Sequence, residues 1–495
     1  MTLLGDRRRD EMSLSIKFYI GLSIVLFYAA LGTYSMIAGY IGSFTSMWEA
    51  DYLAMPVWAS YIFEPGLPPT IEKRLEDWGI ESLSSHIVVN SIDRYSLNIT
   101  LTAPGSYMVI SNSFEYPYRP ARSMIIGYNI RVFSENSVRF RINLSIVSDK
   151  LLNKSISIEY GGIREEITAG RYAVLLVEDI IIDRGSKIYN SSIKLPYPFL
   201  NRVQEPPIPI IVNPVSQLLL DRDTRIRGII NISYTCIDRD LRACRGLNIE
   251  IRDISIKILG LAHGLLGTDH RGSDIWRQFV EGARVANIFG LSAAAATVIL
   301  GISIGSVSGF RVGRFSDQVL TFITDTIFFL PAIPLIMIVI VAFGRSMPIL
   351  YGLIVLVSWP GLARLARSWA MAIRGEPYIE TAIAIGASRL WILRKHVLPR
   401  LAPLAVYGLV SLVPGVISTE VLIQFIGFGD PNIPSWGRML NEAYSEGALI
   451  NGAWWWLFAP IAGITSYMAG FVLMGMALEE RLNPKLVYTR RSPSR

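Results

Sequence analysis

The chain has 495 residues, 51% of them apolar, with a formal net charge of +7 and two cysteines. A mean hydropathy of +0.39 excludes a soluble protein of this length, and several apolar runs exceed the roughly 18 to 20 residues that cross about 30 Å of hydrocarbon. The class is polytopic membrane protein; two cysteines are too few for a disulfide scaffold, and a basic excess is read here by where it falls, not as a nucleic-acid patch.

In chain order, Gly5-Asp-Arg-Arg-Arg-Asp10 opens a charged tail, residues 1–17, and the first span is expected over 18–42. The apolar run from Leu14 to Ala38 outlasts a signal peptide's apolar core of about 7 to 15 residues, so it is read as a retained anchor. Residues 43–262 change character. Val138-Arg-Phe-Arg-Ile-Asn-Leu-Ser-Ile146 alternates apolar and polar as a half-buried strand does. Ser91–Thr102, Met124–Phe133, Ser155–Tyr160, Tyr172–Ile182 and Asn248–Ile258 read similarly, which predicts a β-rich insert, a sandwich, with proline-rich Pro196–Pro214 as an extended strap. Residues 263–284 are expected to form an interfacial amphipathic segment, with Ile275, Phe279 and Ala283 on one side. Spans follow at Val285–Phe310, Val319–Phe343, Leu350–Ala370, Leu404–Ile426 and Trp454–Ala477, within a transmembrane core of residues 285–478 before a charged tail, 479–495. With the anchor that makes about six. Trp276 and Trp454-Trp455-Trp456 suit an interfacial aromatic belt.

Alternation from a cytoplasmic N-terminus places the insert outside and residues 376–399 inside. The inside segments then carry Arg7, Arg8, Arg9, Arg311, Arg314, Arg364, Arg367, Arg374, Arg389, Arg394, Lys395, Arg400, Arg481, Lys485, Arg490 and Arg491, against Arg345 and Arg438 in the short outside loops. That is the expected positive-inside bias. Asn98, Asn143, Asn153, Asn190 and Asn231 each begin an Asn-x-Ser/Thr pattern, and all lie in the insert, as do Cys236 and Cys244. The cysteines form either a disulfide on the oxidising side or two separate thiols.

Some chemistry is excluded. No Gly-x4-Gly-Lys-Ser/Thr, His-Glu-x-x-His or paired Cys-x-x-Cys pattern occurs in the sequence, and His86, His263, His270 and His396 are scattered. Gly301-Ile-Ser-Ile-Gly305 fits the nucleophile-elbow formula but lies in a continuous apolar helix, not on the strand-to-helix turn that formula needs. Gly301, Gly305 and Gly309 read better as small residues one turn apart at a helix contact. Asp325 and Glu420 fall within spans, where ionisable residues are functional candidates by default. Either lines a polar pathway, or Asp325 lies near the cytoplasmic surface bonded to a neighbouring helix.

Between two spans stands a punctuated segment, Glu376-Pro-Tyr-Ile-Glu-Thr-Ala-Ile-Ala-Ile-Gly-Ala-Ser388 and then Arg389-Leu-Trp-Ile-Leu-Arg-Lys-His-Val-Leu-Pro399. Pro377 suits the first turn of a helix, Gly386 its end, Ser388 the cap of a second helix, and Pro399 a stop. The pattern Glu380-Thr-Ala382, Gly386, Leu398-Pro399 resembles the signature loop of ABC-importer permeases, which docks into a groove of a cytoplasmic ATPase. From His263 to Pro484 the resemblance extends to the C-type member of the dipeptide/oligopeptide two-permease pair. It is carried by Gly267-Thr-Asp269, Gly272-Ser-Asp274, Gly282-Ala-Arg284, Asp325, Trp359-Pro-Gly361 with Arg364, Glu420 before Gly427-Phe-Gly429, and Pro434-Ser-Trp-Gly437.

The resemblance implies a type I permease fold, an importer subunit in a cell membrane, and partners: a second homologous permease, two ATPase subunits using ATP and Mg, and an extracellular substrate-binding protein. It implies no cofactor and no catalysis in this chain. Glu380, Thr381, Ala382 and Gly386 are then the ATPase-coupling hairpin, flanked by Arg389, Arg394 and Lys395. Peptides are the first expectation for substrate, with oligosaccharides and nickel handled by relatives. Three features depart from the pattern: Thr381 where alanine is usual, Ser273 where arginine is common before Asp274, and the long insert. The sequons and long ectodomain suggest an archaeal source. Rival readings are a surface glycoprotein merely anchored by its spans, and a membrane glycosyl- or acyltransferase; the first leaves the hairpin unexplained and the second lacks convergent carboxylates.

Overall fold

A computed structural model describes residues 2–38, 49–93, 96–103, 105–118, 123–134, 138–148, 156–160, 163–167, 173–182, 185–195, 224–236 and 247–482. These fall into two units, Met1–Ser46 with Asp274–Arg495, and Met47–Ser273. Helix α1, Thr2–Ile37, begins the first unit; the helix reaches back into the residues expected as a charged tail, and its span-like part is Ile16–Ile37.

The second unit holds a short helix α2, Val57–Phe63, and two large antiparallel sheets. One orders Gly185–Leu195, Ser123–Ser134, Leu247–Leu259, Ser96–Leu101 and Ile87–Asp93, with Ile71–Lys73 also paired to Leu247–Leu259. The other orders Ala173–Ile182, Val138–Ser148, Thr224–Cys236, Tyr107–Tyr116 and Gly79–Leu83. Alternation decides what goes inside: Leu97, Ile99, Leu101, Ile130, Val132, Ile249 and Ile251 of the first sheet are buried, as are Met108, Ile110, Tyr116 and Ile232 of the second. At Gly228 the sheets approach so closely that a Cβ would come within 2.7 Å of Ile256 Cδ1. The arrangement is a β-sandwich. Ser91–Thr102, expected as one strand, is two strands of a hairpin turning after Asp93, because Asp93-Arg-Tyr95 interrupts the alternation. Asn98, Asn143, Asn190 and Asn231 lie within strands, with Asn231 directly opposite Asn143. Asn153, Cys244 and Pro196–Pro214 lie outside the described residues, so the disulfide does too, although Cys236 ends a strand.

The first unit continues with α3, Ile275–Phe310, capped by the Asp274 carboxylate, which accepts from the Trp276 backbone N–H at 2.8 Å. The amphipathic stretch 275–284 is therefore not a separate surface helix. It is the opening of the span, because nothing in Ile275–Phe310 breaks the hydrogen-bond ladder. Next come α4, Phe315–Phe329, and α5, Ala332–Phe343, bent by 84° at the break. The single span expected over Val319–Phe343 is broken because Pro331 cannot donate to the ladder and disfavours a helical Leu330 before it. Then follow α6, Met347–Arg374; α7, Pro377–Ala384; α8, Arg389–Ile392; α9, Leu398–Phe425; α10, Trp436–Ser445; and α11, Trp454–Leu482. Five helices are long and apolar enough to cross a membrane among the described residues, or six if α4 and α5 together make one span.

Helices α3 and α6 meet along the glycine row. A Cβ on Gly301 would lie 3.1 Å from the Trp359 carbonyl, and on Gly305 and Gly309 it would collide with the Ala363 and Arg367 carbonyls. Small residues on the facing helix, Ala363, Ala366 and Ala370, complete the seam. Trp455 and Trp456 are buried in the protein, so this pair does not serve a lipid-facing belt; Trp456 is fully enclosed in the helix packing.

Candidate functional site

The hairpin between α6 and α9 is built by local chemistry. Pro377 occupies the first turn of α7, where its missing N–H would have had no partner. Gly386 turns the chain at φ +85° with open space around it, a left-handed conformation that other residues adopt at a penalty. Ser388 caps α8 by accepting from the Trp391 N–H at 3.3 Å. Pro399 does not end the second helix. A π-helical turn, Leu393–Val397, joins α8 to α9, and this wider winding accommodates a proline whose ring would clash in a regular α turn.

One side of the hairpin is fixed. Ile379, Ile392 and Val397 are buried in a cluster with Phe310, Leu362, Ala366, Ala370, Ile373 and Leu401, and Ala382 packs against it. The other side is open: Ile385 is 80% exposed and Leu390 58%. Ile383 and Trp391 are also exposed, with Glu380, Thr381, Gly386, Arg389, Arg394 and Lys395 around them. Six of the seven sequence-selected coupling residues thus share the exposed side, and Ala382 seats the helix. The Thr381 hydroxyl donates to the Pro377 carbonyl at 2.9 Å, so the unusual threonine satisfies its own hydroxyl within the helix. Lys395 Nζ lies 5.6 Å from the Trp391 ring centroid and Arg400 Cζ 4.8 Å from that of Tyr378, with His396 against both rings. An apolar patch ringed by cations is a surface suited to a protein groove with acidic rims.

Beneath the hairpin lies a charged joint that sequence reading missed. Asp317 of α4, 4% exposed, accepts from Arg367 Nε and Nη2 of α6 at 3.0 and 3.1 Å, from Ser308 Oγ of α3 at 2.6 Å and from the Gly313 N–H at 3.1 Å. Arg374 donates to the Val312 carbonyl at 3.2 Å. The only available signal was an acid two residues into a helix beside a run of arginines, and nothing in that spacing names Arg367 as its partner.

The two carboxylates that were singled out have different surroundings. Asp325 Oδ1 accepts from Arg364 Nε and Nη2 of α6 at 3.0 and 2.7 Å, and the guanidinium lies 3.8 Å from the Phe328 ring centroid. Both side chains stay open, at 43% and 36% exposure. Glu420 is buried, with Gln424 and Ser435 beside it and with Oε1 lacking a hydrogen-bond partner. Gln424 fills the space left by Gly429, where a Cβ would overlap its amide.

Two further motifs meet around Trp436. Its ring lies against Gly282, where a Cβ would come within 2.6 Å, and its Nε1–H donates to the Phe279 carbonyl at 2.9 Å. Tyr28 and Tyr467 pack edge-on to it. Gly282-Ala-Arg284 and Pro434-Ser-Trp-Gly437, far apart in the chain, are two halves of one packing site.

Residues 298–488 match the family model described as the binding-protein-dependent transport system inner membrane component. The dipeptide transport system permease protein DppC of Bacillus subtilis is 29% identical over 221 residues, covering 44% of this chain and 68% of that protein. The di/tripeptide transport system permease protein DppC of Pseudomonas aeruginosa is 31% identical over 229 residues, 46% of this chain and 74% of that one. The glutathione transport system permease protein GsiD of Pectobacterium atrosepticum is 30% identical over 222 residues, 45% and 72%.

Proposed function

This chain belongs to the binding-protein-dependent transport permeases, as a C-type member of the dipeptide and oligopeptide group, and on that premise we propose that it forms half of the translocation pathway of an ATP-driven peptide importer. The observation that carries this reading is the hairpin Glu376–Pro399. Its exposed Ile383, Ile385, Leu390 and Trp391, ringed by Arg389, Arg394 and Lys395, sit on a seat locked into three spans. Such a patch needs a protein partner, and ATPase subunits that use ATP and Mg are the partners this reading supplies. A second permease completes the pathway, and a binding protein delivers the cargo on the side of the insert.

The orientation in this reading has the hairpin in the cytoplasm and Met47–Ser273 outside, which the arginine distribution supports. ATP-driven closure of the partner subunits moves the hairpin, and the buried cluster under it carries that motion into α3, α6 and α9. Relatives named for dipeptides, di/tripeptides and glutathione support short peptides as the substrate class. The experiment is purification of the complex on a tagged chain, then peptide uptake and ATP hydrolysis in proteoliposomes. Glu380→Arg reverses the one acidic position among the coupling residues and sets a cation against whatever basic group of the partner faces Glu380, so it is expected to reduce uptake about tenfold or more, with the chain still folded and inserted. Purification without ATPase subunits, or full coupling in Glu380→Arg, overturns the proposal.

A further inference from the structure

The ion pair between α4 and α6 is in an unusual place. Arg364, counted from the sequence with the inside segments, lies within the span and stands ten residues before the end of its helix at Arg374, about 15 Å along the axis. An ion pair there facing lipid is expensive, because hydrocarbon solvates neither charge, so intramembrane charges face protein or water. Yet in this chain Asp325 and Arg364 are 43% and 36% exposed, so the described residues of the first unit leave them partly open.

The geometry leaves the pair half used. Two guanidinium nitrogens converge on Oδ1 of Asp325, and among the described residues no hydrogen bond reaches Oδ2. The guanidinium is braced from behind by Phe328 at 3.8 Å and Phe329 at 5.1 Å, which hold its position without consuming a donor. A fixed anion and a fixed cation therefore present free acceptor and donor capacity side by side, next to the exposed ring of Phe329, 75% accessible.

Resting on the importer reading, we propose that this face of α4 and α6 lines the translocation path and that the Asp325–Arg364 pair sets which peptide charges pass. As a neutral pair it admits cationic and anionic side chains alike: a substrate ammonium takes the open Oδ2, and a carboxylate takes the uncommitted edge of the guanidinium. Removing one member leaves a lone fixed charge, which selects by sign as charged rings do in pores.

The test uses the intact complex purified on this chain, in proteoliposomes, with labelled trilysine and triglutamate. Asp325→Asn leaves the Arg364 cation alone and is expected to lower the trilysine-to-triglutamate uptake ratio about tenfold, Arg364→Gln to raise it by a similar factor, and the double neutral variant to return it toward the parent value. Independently, Phe329→Cys is expected to react with a charged, water-soluble thiol reagent above the background of the parent chain's own cysteines. Equal loss of both peptides in every variant, with Phe329→Cys unreactive toward that reagent, overturns the inference and marks a merely structural pair against a neighbouring protein. If the parent complex imports neither peptide, it is the importer reading itself that falls.

Discussion

Asp317 and Asp325 are eight residues apart and both pair with an arginine of α6, yet burial gives them opposite consequences. Asp317 has its charge enclosed and every contact directed at it, so Arg367→Met strands a buried carboxylate. A loss of about 3–5 kcal/mol is expected, seen as a lower midpoint of thermal unfolding for the purified chain in detergent. Asp325→Asn breaks a half-exposed pair and should change that midpoint by less than about 1 kcal/mol equivalent. In the sandwich, burial raises the Tyr116 hydroxyl above its ordinary range. The folded state then holds its proton more tightly, so the stability it contributes is whole below about pH 10 and is lost as pH rises beyond that; alkaline titration of the second unit followed by circular dichroism checks this. Sequence reading found Asp325 and Glu420 because an acid inside an apolar run stands out. It missed Asp317, which looks like ordinary loop polarity until Arg367 arrives from another helix.

Helix ends proved more legible than helix continuity. Pro377, Gly386 and Ser388 act through their own backbone geometry, and each stands where its chemistry predicts. Pro331 and Pro399 share the same local preference but have opposite outcomes: one breaks a span by 84°, the other sits in the first turn of α9 directly after a π-helical turn. The choice rests on packing, since Val397 and Leu401 on either side of Pro399 are held in the hairpin's cluster while Leu330 is exposed. The amphipathic helix α10 was hidden for the same reason, its buried face being defined by Phe279 and Gly282 far earlier in the chain. At this scale Gly386→Ala should weaken coupling of hydrolysis to uptake several-fold less than Gly386→Pro, because alanine strains the left-handed turn by only about 1–2 kcal/mol, whereas proline cannot adopt a positive φ at all. Comparing ATP consumed per peptide imported in the two variants decides it.

Within the first unit, the segment that leaves after α1 returns beside it. Gly32 would place a Cβ 3.0 Å from Arg284 Cα, and Asn287 Nδ2 donates to the Tyr28 carbonyl at 2.8 Å. Joining residue 38 to residue 274 by a short flexible linker should therefore leave a permease that still retains ATPase subunits on purification; their loss would mean that the sandwich is needed for the helices to assemble. Finally, at Gly301, Gly305 and Gly309 helix α3 meets the α6 backbone with no side chain of its own between them, so those three points offer no rotamer change that would let one helix creep along the other. The pair turns as a single strut. On the importer reading, rocking is expected to be taken up at backbone interruptions rather than along this seam, and the 84° bend at Leu330-Pro331 is one such soft joint set against a stiff one.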